Sequence, residues 1–245
     1  MATRENKRYT GFVYRQTPIK EKDAMVSCIG EEGFFSFFAR GVMNPASKDF
    51  AVTQEGSYGE FELNVSTQDA LRLKEGRWIA SYRKDGDYEA TFALQALFEI
   101  LSRAVPEEDS STLYPFVEAF LKALKQGGDP YTLLAILLAK TLMVEGYGPT
   151  IDSCAVCGKK EDIVAFSPEA GGLLCREDAE TMGVAKMPVS QLRAYRAVFL
   201  VPPEKFGTFT LPKLDLLPIL SLLGAMVEGS VGVSLKSLAT ILRYQ

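Results

Sequence analysis

The chain lacks histidine altogether, and this absence excludes several kinds of active site. Without histidine there is no Ser-His-Asp or Cys-His nucleophile system, and the commonest general base is missing. The sequence also contains neither a P-loop nor a G-x-G-x-x-G run, two motifs that cradle phosphate groups in many enzymes. We therefore expect a protein that is not an enzyme.

Long hydrophobic runs and a disulfide framework are also lacking. The longest apolar run, residues 133–144, contains Lys140 and is too short to span a bilayer. Residues 1–8 have no apolar core of the kind a signal peptide needs. Only four cysteines are present, too few and too unevenly spaced for a disulfide scaffold. These features predict a cytoplasmic protein.

An excess of basic charge is missing as well. The 27 basic and 31 acidic residues give a formal net charge of −4. Because nucleic-acid-binding proteins usually carry a basic footprint, any such site in this chain must be local. The 245 residues, 47% of them hydrophobic, suffice for one large domain or two modest ones with real cores.

The first third of the chain has the pattern of short β-strands. Segments rich in aromatic and β-branched residues alternate with turn-forming residues, and they cover residues 9–15, 24–30, 34–40, 58–65 and 77–82. Five strands in about 75 residues are typical of a small Greek-key barrel, of which the OB-fold is the common example. We predict that residues 66–75 form a helix inserted late in this barrel.

From residue 86 the pattern changes to helical periodicity. The predicted helices cover residues 88–105, 110–126, 130–144, 190–200, 214–227 and 234–242. Because residues 130–144 are apolar on nearly all sides, they should form the central, most buried helix. The sequence thus predicts an α+β protein, with an OB-fold domain at 1–85 and a helical domain at 86–245.

Three of the four cysteines lie in one stretch, and their spacing is that of a metal knuckle. Cys154-x-x-Cys157 is followed by Cys175-x-x-Asp178. Two such pairs, roughly 15 to 20 residues apart, are typical of a structural zinc site, and aspartate can supply an oxygen ligand. Three neighbouring cations would offset the ligand charge: Lys159, Lys160 and Arg176. We therefore predict a structural Zn²⁺ in a knuckle inserted at about residues 150–182.

Two other interpretations of the cysteine stretch stay open. The thiols could be free in a relic loop, or the C-x-x-C pair could act in redox chemistry. The redox interpretation is disfavoured because such a pair normally opens a helix after a strand, whereas here glycine and two lysines follow. A catalytic zinc is disfavoured because it usually has histidine among three ligands beside an open position.

Basic residues cluster around the loops of the predicted barrel. The candidates for contact with DNA phosphates are Arg15, Lys20, Lys22, Arg40 and Lys48. Cations at barrel loops can follow a phosphate backbone while strand aromatics stack on bases. The aromatic candidates are Tyr14, Phe35 and Phe37. The simpler interpretations are that these aromatics form the barrel core and that each cation is a solvated surface charge.

Three stretches of the chain together resemble a known family. The first runs from Gly11-Phe-Val through Lys22-Asp23 and Gly33 to Ala39-Arg40-Gly41, with Ser47-Lys48 after it. The second leads from Leu142-Met-Val-Glu-Gly-Tyr-Gly-Pro149 into Cys154-Ala-Val-Cys-Gly158. The third is Phe166-Ser167 with Gly171-Gly172 before Cys175. In this order and spacing the stretches are similar to the RecO family of bacterial DNA-repair and recombination mediators.

The resemblance implies an N-terminal OB-fold, a helical C-terminal domain and a zinc knuckle inserted among the helices. It also implies binding of single- and double-stranded DNA, annealing of SSB-coated strands, and loading of RecA together with RecR. The family's zinc-binding members have a fourth cysteine where this chain has Asp178. The loop after Gly41 is poorer in basic residues than is typical of the family.

The implied partners are RecR and the acidic C-terminal tail of SSB. A site for that tail should be an apolar groove with basic side chains nearby, and we expect it near Arg193 and Arg196 or near Lys213. The alternative from another functional class is a protein–protein adaptor in the repair complex with little DNA binding of its own. The overall acidity and the thinned basic loop favour this alternative.

Overall fold

The segments rich in aromatic and β-branched residues in the first third of the chain form a closed β-barrel. The structure is a computed structural model, and it describes residues 6–19, 21–65, 70–84 and 86–244. The barrel strands are β1 (Asn6–Pro18), β2 (Ala24–Gly30), β3 (Gly33–Ala39), β4 (Ser57–Val65) and β5 (Leu71–Ser81). Their order is β1-β2-β3-β5-β4, and β4 closes the barrel by pairing with β1. A small five-stranded barrel is the architecture predicted from the sequence.

The helix predicted over residues 66–75 is wrong in the part that the structure describes. Residues 71–75 belong to β5, where Leu71 and Leu73 pair with Val65 and Leu63 of β4. The apolar residues at 71 and 73 alternate with charged ones, which is the period of a strand and not of a helix. Residues 66–69 lie outside the described residues.

Aromatic side chains fill the barrel. Phe37 and Phe61 are fully buried, with ring centroids 4.9 Å apart, and Phe35 stacks on Tyr9 at 4.8 Å. Tyr14 is also buried, and this burial raises the pKa of its hydroxyl. The interpretation as core residues is confirmed for Tyr14 and Phe37, whereas Phe35 is half-buried and packs against the edge of the barrel core.

A short 3₁₀ turn, Ala51–Thr53, covers one part of the barrel wall with Val52. A Cβ atom on Gly59 or Gly76 would lie 2.3 Å or 2.5 Å from a Val52 methyl carbon. These two strand positions therefore accept glycine alone, because only an absent side chain leaves room for Val52.

The chain divides into two compact units, Met1–Leu121 and Lys122–Gln245, and the first contains the barrel, helix α1 (Tyr88–Arg103) and most of helix α2 (Ser110–Lys125). Helix α1 begins at Asp87, whose carboxylate accepts a hydrogen bond from the Ala90 amide, and its Phe98 ring lies 5.8 Å from that of Phe12. Helix α2 crosses the division between the units. The predicted boundary near residue 86 marks the change from strands to helices and stays a prediction about folding domains.

The second unit is built around α3 (Pro130–Val144). Residues 131–142 of this helix are all buried, and α3 packs against α5 (Val189–Leu200) and α6 (Lys213–Val231). The buried Lys140 donates a hydrogen bond to the carbonyl oxygen of Phe199 at 2.5 Å, and desolvation lowers the pKa of its ammonium group. The predicted central helix is confirmed, and α7 (Lys236–Tyr244) completes the helices of this unit by packing on α6.

Helix α6 has the length and composition of a membrane-spanning segment, with 19 residues and a mean hydropathy of 1.6. It nevertheless packs against α3, α5 and α7, and Asp215 in its first turn is buried and accepts a hydrogen bond from the Ser190 hydroxyl at 3.0 Å. These contacts pack one face of α6 into the second unit.

Between α3 and α5, residues 150–182 form a small unit of a loop, a hairpin and a short helix, which we call the knuckle. Its elements are β6 (Ile163–Ser167), β7 (Gly172–Cys175) and α4 (Arg176–Thr181). Strands β6 and β7 are antiparallel. The predicted insertion is therefore present among the helices.

Candidate functional site

The first two cysteines of the knuckle are brought together by a tight turn. The Gly158 amide donates a hydrogen bond to the Cys154 carbonyl at 2.9 Å, and the Cys154 amide donates to the Lys159 carbonyl at 2.7 Å. Gly158 has φ +76°, a conformation that glycine adopts without steric cost. The C-x-x-C-G sequence thus folds locally so that both thiols face the same side.

The second pair sits where β7 runs into α4. Cys175 is the N-cap residue of α4, and Asp178 lies in the first turn of that helix. Residues three apart on a helix are neighbours, so the Cys175 thiol and the Asp178 carboxylate project together. The register of the hairpin places Ile163 opposite Cys175.

The four predicted ligands form one cluster. Their ligand atoms all lie within 4.8 Å of one another: Cys154 Sγ, Cys157 Sγ, Cys175 Sγ and a carboxylate oxygen of Asp178. The Asp178 Oδ2 atom is 3.0 Å from Cys154 Sγ and 3.1 Å from Cys175 Sγ. Cys157 Sγ is 3.7 Å from Cys175 Sγ, close to the roughly 3.8 Å expected for two thiolates on one tetrahedral zinc. The cluster can therefore hold a metal ion.

The same contacts set the protonation of the cluster. Hydrogen bonds from the thiols of Cys157, Cys154 and Cys175 lower the pKa of Asp178. The bond to Asp178 in turn raises the pKa of Cys157 to about 12. Burial opposes ionisation of Cys154, but backbone amides of Cys157 and Cys175 outweigh it and lower its pKa. A metal ion must therefore displace thiol protons, which couples its binding to proton release.

The cations beside the ligands are mostly engaged with acidic partners. Lys159 forms an ion pair with Glu177 at 2.6 Å, and Arg176 forms one with Asp162 at 2.8 Å. Lys159 still lowers the pKa of Asp178 electrostatically, whereas Arg176 is committed to Asp162 by two hydrogen bonds. The charge compensation predicted for Arg176 is therefore directed at Asp162 and not at the ligands.

A pocket of about 370 Å³ lies between the knuckle and α5. The knuckle side contributes Ile151, Asp152, Lys160, Ile163 and Leu173, and the α5 side contributes Val189, Leu192, Arg193 and Arg196. The pocket thus has an apolar lining with basic side chains at its edge. It contains both predicted partner-binding arginines, while Lys213 is not among its lining residues.

The two arginines have different surroundings. Arg196 donates hydrogen bonds to the Ile151 carbonyl at 3.1 Å and to Asp152 Oδ1 at 3.2 Å, so it fastens α5 to the start of the knuckle. Arg193 and Lys160 are exposed and form no ion pair with any residue in the described part of the chain. The cations available to a ligand are therefore Arg193 and Lys160.

The basic residues of the barrel fall into two groups. Three cations on or just after β5 are paired with acids: Lys74 with Glu62, Arg77 with Glu60, and Arg83 with Glu55. Arg15, Lys22 and Arg40 are exposed and form no ion pair within residues 6–19, 21–65, 70–84 and 86–244. Lys48 lies 3.6 Å from Glu75, and Lys20 lies outside the described residues.

Lys22 lies in the loop before β2 and Arg40 at the start of the loop after β3, and hydrogen bonds join these two loops. Ala24 and Ala39 are paired residues of β2 and β3, so Lys22 precedes and Arg40 follows the same end of this strand pair. The Gly41 amide donates to Asp23 Oδ1 at 2.8 Å, and the Met43 amide donates to the Lys22 carbonyl at 3.0 Å. These hydrogen bonds hold the dipeptides Lys22-Asp23 and Arg40-Gly41 side by side.

Comparison with known proteins decides the family. The family model described as Recombination protein O N terminal matches residues 1–82, and the one described as Recombination protein O C terminal matches residues 85–239. The chain belongs to the RecO family. The resemblance noted in the sequence is thereby confirmed, and it groups the chain with DNA repair proteins.

Relatives in the RecO family are similar over most of the chain. The DNA repair protein RecO of Bacillus mycoides (strain KBAB4) is 31% identical over 173 residues, which is 69% of each chain. The proteins of the same name from Bacillus cytotoxicus and from Bacillus cereus (strain AH187) are 30% identical over the same length and share.

The barrel of this RecO-family chain also exposes residues that the sequence reasoning missed. Half-buried Phe38 pairs across the strands with exposed Met25, and the Arg72 guanidinium carbon lies 5.9 Å from the centre of the Phe38 ring. Cross-strand partners point to the same face of a sheet. The signal was the run Phe34-Phe-Ser-Phe-Phe38, in which fully buried Phe37 requires Phe38 to face outward.

Proposed function

We propose that this chain is a non-enzymatic recombination mediator of the bacterial cytoplasm. It binds single- and double-stranded DNA, anneals SSB-coated strands, and helps to load RecA together with RecR. Membership of the RecO family and the DNA repair names of its relatives support this proposal. The lack of histidine in the sequence is consistent with a protein that breaks no covalent bond.

The observation that carries DNA binding is the set of unpaired cations on the barrel. Arg15, Lys22 and Arg40 present charge to solvent without an acidic partner among the described residues. Phe38 and Arg72, on the same barrel, offer an aromatic face and a planar cation on which a base can stack. Neutralising phosphates with such cations releases counterions, so affinity should fall with salt concentration.

A salt series of fluorescence anisotropy with labelled single-stranded DNA tests this function, with and without RecR. We expect affinity to fall steeply with salt. Binding that occurs only when RecR is present would mean that the partner completes the DNA site. Absence of binding under both conditions would reject the mediator and favour the adaptor described below.

We further propose that the metal ion is a structural Zn²⁺. Three thiolates favour zinc over harder cations, and Cys154, Cys157, Cys175 and Asp178 supply the four ligands of a closed tetrahedral site. When bound, the ion would cross-link the two ends of the knuckle. The chain's own residues contribute the turn at Gly158 and the first turn of α4, which aim the ligands at one point.

The pocket between the knuckle and α5 is the proposed site for the SSB tail. Its apolar lining suits the apolar end of a peptide, and Arg193 and Lys160 suit the acidic residues of the tail. Arg196 supports the pocket by its contacts with Ile151 and Asp152. Binding of a tail peptide that is unchanged by Arg193→Ala would reject this placement.

The second candidate function is a protein–protein adaptor with little DNA affinity. The ion pairs of Lys48, Lys74, Arg77 and Arg83 with glutamates favour it, because they offset four of the barrel's positive charges. The salt series distinguishes the two functions, since an adaptor would bind RecR or the SSB tail but not DNA.

A further inference from the structure

The two walls of the pocket differ in how they are supported. The α5 wall belongs to the helical core, because Leu192 is buried and α5 packs on α3 and α6. The knuckle wall rests on a much smaller core, whose buried members are Cys154, Ala165, Leu174, Cys175 and Ala179. Two of these five residues are themselves metal ligands. Beyond this core, Phe166 of the knuckle packs on Tyr195 of α5 with ring centroids 4.3 Å apart, so the rest of the knuckle depends on its cross-links for a fixed shape.

The lining residues of the knuckle wall are attached directly to the ligands. Leu173 is two residues before Cys175 on β7, and Ile163 is the cross-strand partner of Cys175. On the other side of the cluster, the amide of Ala155, next to Cys154, donates to the Leu173 carbonyl at 2.7 Å. Movement of either cysteine therefore moves the apolar wall.

The segment that enters the knuckle is held against the same strand. The Thr150 amide donates to the Gly171 carbonyl at 2.8 Å, and the Leu173 amide donates to the Thr150 carbonyl at 2.9 Å. A Cβ atom on Gly172 would lie 2.4 Å from the Thr150 carbonyl oxygen, so this close approach requires glycine. Ile151 and Asp152, which line the pocket, follow directly and are therefore positioned by β7.

We propose that occupancy of the four-ligand metal centre sets the affinity of this pocket for an acidic peptide that also carries apolar side chains. The inference rests on the proposed function, which places such a peptide in the pocket. With the ligands drawn together, Ile163 and Leu173 stand at a fixed distance from Leu192. Without that cross-link the knuckle wall must be ordered when the peptide binds, and the ordering cost lowers affinity while Arg193 keeps its attraction.

Linkage makes the proposal quantitative. If metal occupancy strengthens peptide binding by some factor, the peptide must strengthen metal binding by the same factor. We expect a coupling on the order of tenfold, within the usual range for linked sites. The two affinities can be measured independently, one with the peptide as the varied component and the other with zinc.

The first experiment measures peptide binding by the full chain in three states: loaded with zinc, stripped with a chelator, and reloaded. The probe is a fluorescein-labelled peptide of aspartates followed by apolar residues, with a serine-substituted peptide as its control. Anisotropy should show about tenfold weaker binding after stripping and recovery on reloading. Arg193→Ala should weaken binding in the loaded protein, whereas the exposed Arg243→Ala, outside the pocket, should not.

The outcomes separate this inference from the pocket assignment. Equal affinity of loaded and stripped protein, with Arg193→Ala still weaker, would overturn the metal coupling and leave the peptide site standing. An unchanged Arg193→Ala variant would instead reject the peptide site itself.

Far-UV circular dichroism shows whether stripping unfolds the helices. If removal of zinc unfolds the helices, the coupling is measured from the other side. The zinc affinity of the folded protein is then determined by competition with a chromogenic chelator, with and without saturating peptide. An increase of about tenfold with peptide supports the coupling, and an unchanged zinc affinity overturns it.

Discussion

At the scale of single residues, the basic side chains of this protein differ in whether they already form an ion pair with an acidic side chain. Those that do not are the better candidates for contact with DNA phosphates. Lys74 and Arg77 stand opposite Glu62 and Glu60 on the barrel wall. Lys22 and Arg40 lie at loop ends with no such partner in the described part of the chain. Exposed ion pairs contribute little to stability, but they do lower the net charge that a nearby phosphate meets.

The double variant Lys22→Ala/Arg40→Ala should therefore bind single-stranded DNA more weakly. Loss of two phosphate contacts should make the plot of log affinity against log salt shallower by about 1.4, since each contact contributes about 0.7 on single strands. The matched control is Lys74→Ala/Arg77→Ala, in which both removed cations were ion-paired. An equal change of slope in both variants would contradict the distinction between paired and unpaired cations.

The cysteines provide a second residue-scale prediction. Cys28 is buried in the barrel, where desolvation raises the pKa of its thiol well above the usual value, while Cys175 belongs to the ligand cluster. Protein purified with zinc should retain about one zinc per chain. Metal analysis should find zinc lost in Cys175→Ala and retained in Cys28→Ala. Zinc retained in Cys175→Ala would show that the ion is bound elsewhere.

At the scale of elements, helix α6 contains two glycines in contrasting surroundings. A Cβ atom on Gly229 would meet nothing within 4 Å, whereas one on Gly224 would lie 2.4 Å from a methyl carbon of the buried Leu238 on α7. Both positions are helical, so alanine would gain the same helix propensity at each. The difference between them is therefore a measure of how closely α6 and α7 pack.

Gly229→Ala should raise the free energy of unfolding by roughly 0.5–1 kcal/mol. Gly224→Ala should lower it relative to Gly229→Ala, because Leu238 must leave its packed position to admit the methyl group. Urea unfolding of the two variants beside the parent chain measures both changes. If Gly224→Ala stabilised the protein as much as Gly229→Ala, the close packing of α6 on α7 would be wrong.

At the scale of the whole molecule, the proposed sites belong to different compact units. The barrel with its exposed Arg15, Lys22 and Arg40 lies within Met1–Leu121, whereas the four-residue cluster and the pocket beside α5 lie within Lys122–Gln245. A perturbation of the cluster changes contacts inside the second unit. Sites that share no residues or contacts usually behave additively.

Stripping zinc from the full chain should accordingly leave the salt dependence of single-stranded DNA binding unchanged, within error, while it weakens peptide binding. Anisotropy of labelled DNA across the same salt series, before and after chelation, measures this. A shallower slope after chelation would mean that the metal centre supports the DNA site as well, and that the two functions are not independent.

Much of the architecture was predictable because it depends on neighbours in the sequence. The short apolar run at residues 24–30, bounded by charged and turn-forming residues, and the largely apolar segment 130–144 led to strand β2 and helix α3 with the predicted bounds. The ligand set was predictable for the same reason. The turn at Gly158 and the three-residue step from Cys175 to Asp178 are local geometries that the spacing already contains.

Other features depend on which distant residues meet. Residues 71–75 became a strand because β4 offered a partner with matching alternation, and Arg196 became a structural clamp because Asp152 lies beside it across 44 positions of sequence. Contacts between residues distant in sequence depend on strand register and packing, and local sequence patterns do not predict them. The sequence by itself determined most of the barrel strands, the helices outside the knuckle and the four residues that form the cluster able to hold a metal ion. Tertiary structure alone decided which cations of the described residues lack an acidic partner, and that the knuckle forms one wall of a pocket.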